Sequence, residues 1–225
     1  MAKTRRKPRR NSRRKTRRNR KVKKRCDISF FQVLSQKDVN VLYRITEKTV
    51  RLLDKHRIDY WAEGGTLIGL MRTTPGGFIS WDDDVDISMD LKDKPRLLKL
   101  RSHFKQVGLE MKSVGRYTKI YKPGNTRVWI DVFYLNEGTY PQKHYQKYNY
   151  IRNDASGEDE LYPLRKRSYG PFTMKVANKA HQYLDRCYPG WKTTAYLYNH
   201  HTKGKQKISF KDCPELKKPK LPTNY

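Results

Sequence analysis

Four carboxylates fall within five positions, at Asp82, Asp83, Asp84 and Asp86, and they run into Val85-Asp86-Ile87-Ser88-Met89, where polar and apolar residues alternate. A period of two is that of a half-buried strand, and it sets Asp84, Asp86 and Ser88 on one face. Like charges held this close repel, so keeping them beside an apolar strand is costly unless a cation compensates. The chain must therefore build a sheet that delivers two acids to one point and a second element that closes that point.

Two further segments supply the closure. Trp129-Ile130-Asp131-Val132-Phe133 reads as a strand with apolar residues on both sides of one acid, so Asp131 is expected on a neighbouring strand facing the pair. Upstream, Asp59 to Ala62 is strand-like, Gly64-Gly65 breaks it, and Thr66 to Arg72 continues as a short helix. Exposed N–H groups at such a helix start favour an anion, and phosphate is the natural one. Magnesium takes oxygen ligands and is held by one or two carboxylates plus phosphate oxygens. Mg²⁺ or Mn²⁺ on Asp84, Asp86 and Asp131 is accordingly expected, with donor phosphates held by Gly64, Gly65 and Thr66. Arg72 closes the short helix, where it either neutralises phosphate charge or caps the helix dipole. Taken alone, the acid run would read as a solvated turn; the adjacent glycine turn is what makes it a site.

The rest of the chain supplies helices around the sheet. Ser35 with Asp38 resembles a capping box, and Val39, Leu42, Tyr43, Thr46, Val50 and Leu53 recur at helical spacing, predicting a helix over 37–57. Residues 95–107 predict a second amphipathic helix, stopped by Gly108. Segments 109–114, 117–122 and 126–135 read as three strands. Asn178 is a plausible cap for a last helix that ends before Pro189-Gly190. Trp61, Trp81 and Trp129 are expected to pack in the core, and the tyrosine-rich stretch Tyr140–Tyr150 is a candidate base-stacking or sugar-stacking surface. The three cysteines, Cys26, Cys187 and Cys213, show no CxxC spacing and read as thiols. Cys187, His200, His201 and Cys213 match no standard zinc spacing.

Charge is distributed unevenly. Residues 1–25 hold 16 of the 51 Lys and Arg and none of the 22 acids. Such a run repels itself and has nothing to bury, so a disordered tail is expected, suited to nucleic acid, an anionic membrane surface or nuclear targeting. No secretory apolar stretch follows it, and no segment has the roughly 20 apolar residues of a membrane span. A soluble, intracellular protein, cytoplasmic or nuclear, is the expectation. The domain reading is a basic tail over 1–25, one catalytic domain over 26–215 and a polar tail over 216–225.

The stretch Tyr60-Trp61-Ala62-Glu63-Gly64-Gly65-Thr66-Leu67-Ile68-Gly69-Leu70-Met71-Arg72, then Gly77-Phe78-Ile79-Ser80-Trp81-Asp82-Asp83-Asp84-Val85-Asp86-Ile87, resembles the LicD family, with the Ile130-Asp131-Val132-Phe133 strand in the same order. Tyr162-Pro163-Leu164, Lys175-Val176-Ala177-Asn178 and Tyr188-Pro189-Gly190-Trp191 echo its C-terminal part, where Pro189 stands in place of a frequent Gly. That family includes bacterial phosphorylcholine transferases and is similar to the fukutin-related ribitol-phosphate transferases. The resemblance covers about residues 37–192. It implies an α+β fold of nucleotidyltransferase type, a mixed β-sheet flanked by helices, with Asp84 and Asp86 as metal ligands and Asp131 as the third carboxylate. It also implies transfer of a phosphorylated alcohol, phosphocholine or ribitol phosphate, from a CDP-alcohol donor to a glycan acceptor. Two other readings stay open from the residues: a glycosyltransferase holding a nucleotide sugar through its DxD, and a nucleic-acid-binding protein acting through the basic tail.

Overall fold

A computed structural model describes residues 26, 34–115, 117–135, 158–198 and 205–223. The basic stretch 1–25, the segment Tyr140–Tyr150 and His200 and His201 lie outside the described residues. The first helix, α1 (Gln36–Lys55), starts where the capping pattern places it: Ser35 Oγ accepts Asp38 N–H at 3.1 Å and donates to Asp38 Oδ2 at 2.7 Å. Its repeating apolar positions, Val39, Leu42, Tyr43, Thr46, Val50 and Leu53, are all buried.

After α1 come β1 (Trp61–Ala62), α2 (Gly64–Arg72) and β2 (Asp84–Asp90). The single helix expected over 95–107 is two, α3 (Lys94–Lys99) and α4 (Arg101–Gln106), with Leu100 between them bonding its N–H to the Leu97 carbonyl. That turn buries Leu97 and Phe104 on the same side. The strands β3 (Glu110–Val114), β4 (Tyr117–Tyr121) and β5 (Trp129–Leu135) match the sequence expectation. They complete a sheet of order β1-β2-β5-β4-β3, in which β2 and β5 run parallel and the other neighbours antiparallel. α1 packs across β2 and β5, α4 against β3, and α2 against β2. The result is a mixed sheet flanked by helices.

The second half holds a short helix α5 (Glu158–Leu161), the hairpin β6 (Arg165–Tyr169) and β7 (Phe172–Val176), helix α6 (Ala180–Cys187), and the hairpin β8 (Thr194–Tyr198) and β9 (Lys205–Ser209). Neither hairpin is visible in the alternation, because β6 carries the exposed run Arg165-Lys166-Arg167-Ser168 on both faces and β9 opens with the exposed polar run Lys205-Gln206-Lys207. Helix α6 begins after Lys179, and Asn178 does not cap it. The Asn178 Oδ1 accepts Arg165 Nε instead, at 2.9 Å, which ties β6 to the helix entry.

Two further sequence expectations are corrected. Cys26 and Cys213 are paired as a disulfide, with Cα atoms 5.2 Å apart, and only Cys187 is a thiol. Their separation of 187 residues leaves no spacing signature; the fold brings them together beside Ala195, Leu197, Phe210 and Leu216. The polar tail expected over 216–225 is, as far as Thr223, packed onto the domain. Lys220 bridges Phe78, its carbonyl accepts the Tyr43 hydroxyl at 3.0 Å, and Thr223 bonds Asn40. Backbone groups supply these contacts, so a polar composition hides them. Among the described residues, no helix is long and apolar enough to cross a membrane.

Candidate active site

The parallel register of β2 and β5 sets Asp86 directly opposite Asp131, with Asp84 opposite Trp129. Because side chains alternate along both strands, Asp84, Asp86 and Asp131 emerge on one face, with one carboxylate oxygen from each lying within 4.8 Å of the others. Asp82, Asp83 and Asp84 form a second such group that shares Asp84.

Helix α2 abuts this cluster with its N-terminus. The Glu63 N–H donates to the Asp86 carbonyl at 3.0 Å, so the turn starts in register with the acid strand. Gly64 follows with φ +51°, a conformation that favours glycine, and a Cβ there would stand 3.3 Å from Asp86 Oδ2. At Gly65 a Cβ would collide with the Asp82 carboxylate. The Thr66 Oγ1 accepts Asp86 N–H at 2.9 Å, and Thr66 is only 5% exposed, so its side chain joins α2 to β2 and keeps one O–H to donate. The side chain of Glu63, which precedes the helix, does not cap the start of α2. Asp82, beside Gly65, sits at the positive end of the helix dipole.

Crowding is visible in the electrostatics. Burial raises the Asp84 carboxyl well above its ordinary range, and Asp86, Asp82, Asp83 and Asp131 add to it. The same holds for Asp86, where burial is followed by Asp82, Asp131 and Glu63. Burial and Asp83 push Asp82 up to about 7. Asp131 is also raised by burial, but Lys119 and the Trp129 indole oppose the shift.

Four residues of the site were not singled out from sequence as part of it. Trp129, expected in the core, is half-buried and donates its Nε1–H to Asp131 Oδ2 at 3.2 Å. Lys119, opposite Asp131 on β4, lies over the Trp129 ring at 3.6 Å. The Asp131 Oδ1 is buried with no hydrogen-bond partner among the described residues. Glu63, 7% exposed, accepts Ser88 Oγ at 2.9 Å and the Tyr183 hydroxyl at 2.8 Å. Those two bonds fasten the floor of the glycine turn to β2 and α6. Tyr188, at the end of α6, lies beside the turn, its hydroxyl 3.9 Å from where a Cβ on residue 64 would stand. Trp129 was legible, since it stands two residues before Asp131 on one strand face. The other three depend on tertiary contacts.

Arg72 is placed apart from the acids. It lies at the opposite end of the nine-residue α2, about 12 Å along the axis at 1.5 Å per residue. Its Nε donates to the Trp191 carbonyl at 3.1 Å, and its guanidinium stacks on Phe210 (4.9 Å) and Trp81 (5.5 Å). This is the helix-terminus role, a cation at the negative end of the dipole. Of the residues expected in the site, the fold brings together Gly64, Gly65, Thr66, Asp84, Asp86 and Asp131, and leaves Arg72 outside.

Comparison with known proteins places this geometry in a family. A model described as LicD/FKTN/FKRP, nucleotidyltransferase domain, matches residues 57–179. An uncharacterized protein of Rickettsia typhi is 34% identical over 202 residues, and one of Rickettsia prowazekii is 30% identical over 206. Each alignment covers 84% of this chain, which spans 61% of the first relative and 72% of the second. Among solved structures, a lincosamide antibiotic adenylyltransferase with lincomycin bound is similar over 83% of this chain and 98% of its own, with 13% identity and a TM-score of 0.42. Terminal uridylyl transferase 4 of Trypanosoma brucei with bound GTP is similar over 47% and 33%, with 17% identity and a TM-score of 0.28. With the glycine turn and all three carboxylates inside the matched residues, the chain belongs to the LicD family and carries its nucleotidyltransferase domain.

Proposed function

We propose that this chain transfers a phosphorylated alcohol, phosphocholine or ribitol phosphate, from a CDP-activated donor to a glycan hydroxyl. The observation that carries the reading is the convergence of Asp84, Asp86 and Asp131 beside an uncapped helix start built from Gly64 and Gly65. Three oxygen donors, one offering a buried oxygen without a hydrogen-bond partner among the described residues, fit Mg²⁺ or Mn²⁺, and these three residues would hold it. When bound, such an ion neutralises charge on phosphate oxygens and makes a bound hydroxyl more acidic.

The protein's own groups do the positioning. N–H groups of the glycine turn would donate to phosphate oxygens, and the helix dipole adds to their pull. Phosphoryl transfer asks chiefly for alignment and charge neutralisation, with little covalent chemistry from the protein. The Asp131 carboxylate takes the proton of the attacking hydroxyl, while the Trp129 indole, bonded to Oδ2, fixes its orientation. Lys119 keeps Asp131 closer to ionisation than its burial would allow. Arg72 anchors the far end of α2 and thereby the angle at which the turn meets the acids.

The test is to incubate the purified chain with Mg²⁺ or Mn²⁺ and a panel of CDP-choline, CDP-ribitol and nucleotide sugars, with and without glycan acceptors. CMP release from a CDP-alcohol that rises with acceptor supports the reading. Nucleotide release from nucleotide sugars alone would replace it with glycosyl transfer.

A further inference from the structure

Arginines at alternate positions put two cations on one face of a strand, and β6 does this with Arg165 and Arg167, whose partners on β7 are Val176 and Met174. Their Cα atoms stand about 6.6 Å apart, two strand rises. That face of the hairpin meets the last turn of α2 and the first turn of α6, and the junction leaves an open cavity of about 240 Å³. Met71, Val176 and Ala177 give it an apolar floor, and Lys179 and His181 join the two arginines around it. Among the described residues, no carboxylate lines it. The acids that flank α6 are engaged elsewhere: Arg186 holds Glu160 at 2.6 Å, while Lys192 and the Trp191 Nε1 hold Asp185 at 2.9 and 2.8 Å. Arg165 Nε donates to Asn178 Oδ1, which orients the guanidinium through one of its five N–H donors.

We propose that this cavity binds an anionic group, a phosphate or a carboxylate, carried by the acceptor glycan beside its reacting hydroxyl. A basic strand that is only solvated spreads its charges over a convex surface. Here they rim a hollow with an apolar floor, where water screens less and one anion meets several donors at once. Arginine presents a planar fork that matches phosphate and carboxylate oxygens, and the floor suits the carbon face of a sugar. Placement along α2 assigns the ligand to the acceptor. Met71 lies seven residues from Gly64, about 10 Å along the axis at 1.5 Å per residue. The donor's two phosphates belong at the glycine turn, and a CDP-alcohol has no further anionic group to reach the far end of the helix. An acceptor whose hydroxyl meets the acids can extend along α2 and set its own charge in the cavity.

Assignment to the acceptor rests on the transfer reading of the neighbouring site, whereas anion binding in the cavity does not. Glucose 6-phosphate, glucuronate, glucose and inorganic phosphate are titrated calorimetrically into the full chain and into Arg167→Gln, Gln182→Glu and Lys166→Gln, with melting curves for all four proteins. EDTA is present throughout, so that no metal draws the anion to the acid cluster. Glucose 6-phosphate or glucuronate should bind the wild type, and glucose should not. Arg167→Gln removes a cation from the cavity and Gln182→Glu adds an acid to it, so each should weaken the anionic sugar roughly 10-fold at an unchanged melting temperature. Lys166→Gln removes the same charge from the opposite face of β6 and should leave affinity within about 2-fold. Equal loss in Lys166→Gln and Arg167→Gln marks a diffuse field and overturns the site. Wild-type affinity in Arg167→Gln overturns it too, as does failure of both anionic sugars to bind the wild type. Inorganic phosphate binding as tightly as glucose 6-phosphate overturns the assignment to a glycan. CDP-choline and CDP-ribitol turnover is followed in parallel: absent turnover with the expected binding pattern would remove the CDP-alcohol reading and leave the anion site in place.

Discussion

Asp82→Asn in the metal-free protein puts a number on the electrostatic cost of the acid cluster. Asp82 lies against Gly65 at the start of α2, and burial with Asp83 raises its carboxyl from 3.8 to about 7. A carboxyl with a raised folded pKa binds its proton more tightly in the fold than in the unfolded chain. Its contribution to stability is complete below about pH 3.8 and is lost as pH rises through about 7. The full shift corresponds to about 4 kcal/mol at 1.36 kcal/mol per unit, and water access to this half-buried side chain reduces the net cost to about 1–2 kcal/mol. Asparagine has the same shape and never ionises. In EDTA, Asp82→Asn should therefore melt with wild type near pH 4 and roughly 2–8 °C above it at pH 8, given about 2–4 °C per kcal/mol for a chain of this size. Saturating Mg²⁺ should shrink the pH 8 gap, because a bound cation does for wild type what the substitution does for the variant. A gap that is the same at pH 4 and pH 8, or a variant that melts below wild type at pH 8, would refute the repulsion argument.

Asp84→Asn and Asp86→Asn should each abolish transfer while raising the metal-free melting temperature; wild-type turnover in either variant after chelation and Mg²⁺ add-back would remove that residue from the metal site. Asp131→Asn keeps one oxygen but cannot accept a proton, so donor affinity should persist while transfer falls about 10²-fold or more; normal turnover would take the third carboxylate out of the mechanism. Tyr183→Phe withdraws a hydrogen bond from the buried Glu63 carboxylate and should cost about 1–3 kcal/mol in urea unfolding. Peptide mapping without reductant should recover a Cys26–Cys213 crosslink and an alkylated Cys187, and a fully alkylated Cys213 would count against the pairing.

Much of the site is legible in the residues themselves, because the signals are local. The i, i+2 spacing of Asp84 and Asp86 on an alternating strand fixes their common face before any tertiary contact is known, and the Gly64-Gly65 break names the helix start that meets them. Ser35 and Asp38 likewise announce the start of α1 through a bond spanning three residues. Fold class follows from the resemblance of the glycine turn and acid strands to the LicD family. What the linear order does not contain is register. Asp131 reads as an acid in a strand, and only the parallel pairing of β2 with β5 sets it opposite Asp86. Lys119 faces Asp131 through a second pairing, and Tyr183 and Tyr188 arrive from α6 about 120 residues downstream of Glu63 and Gly64. Arg72 shows the converse. Its place at a helix end was readable, but the choice between a phosphate and the Trp191 carbonyl depended on which surface the β8–β9 hairpin and its neighbour Phe210 present to it. Cys26 and Cys213, the polar stretch to Thr223 and the polar strands β6 and β9 were misread or missed for one shared reason. Their contacts are made by backbone groups, or by residues far apart in the chain, and neither leaves a periodic trace in side-chain polarity. Sequence alone determined which residue types stand where the chain turns, alternates or caps; the sheet's register and the docking of α6 determined which of them meet.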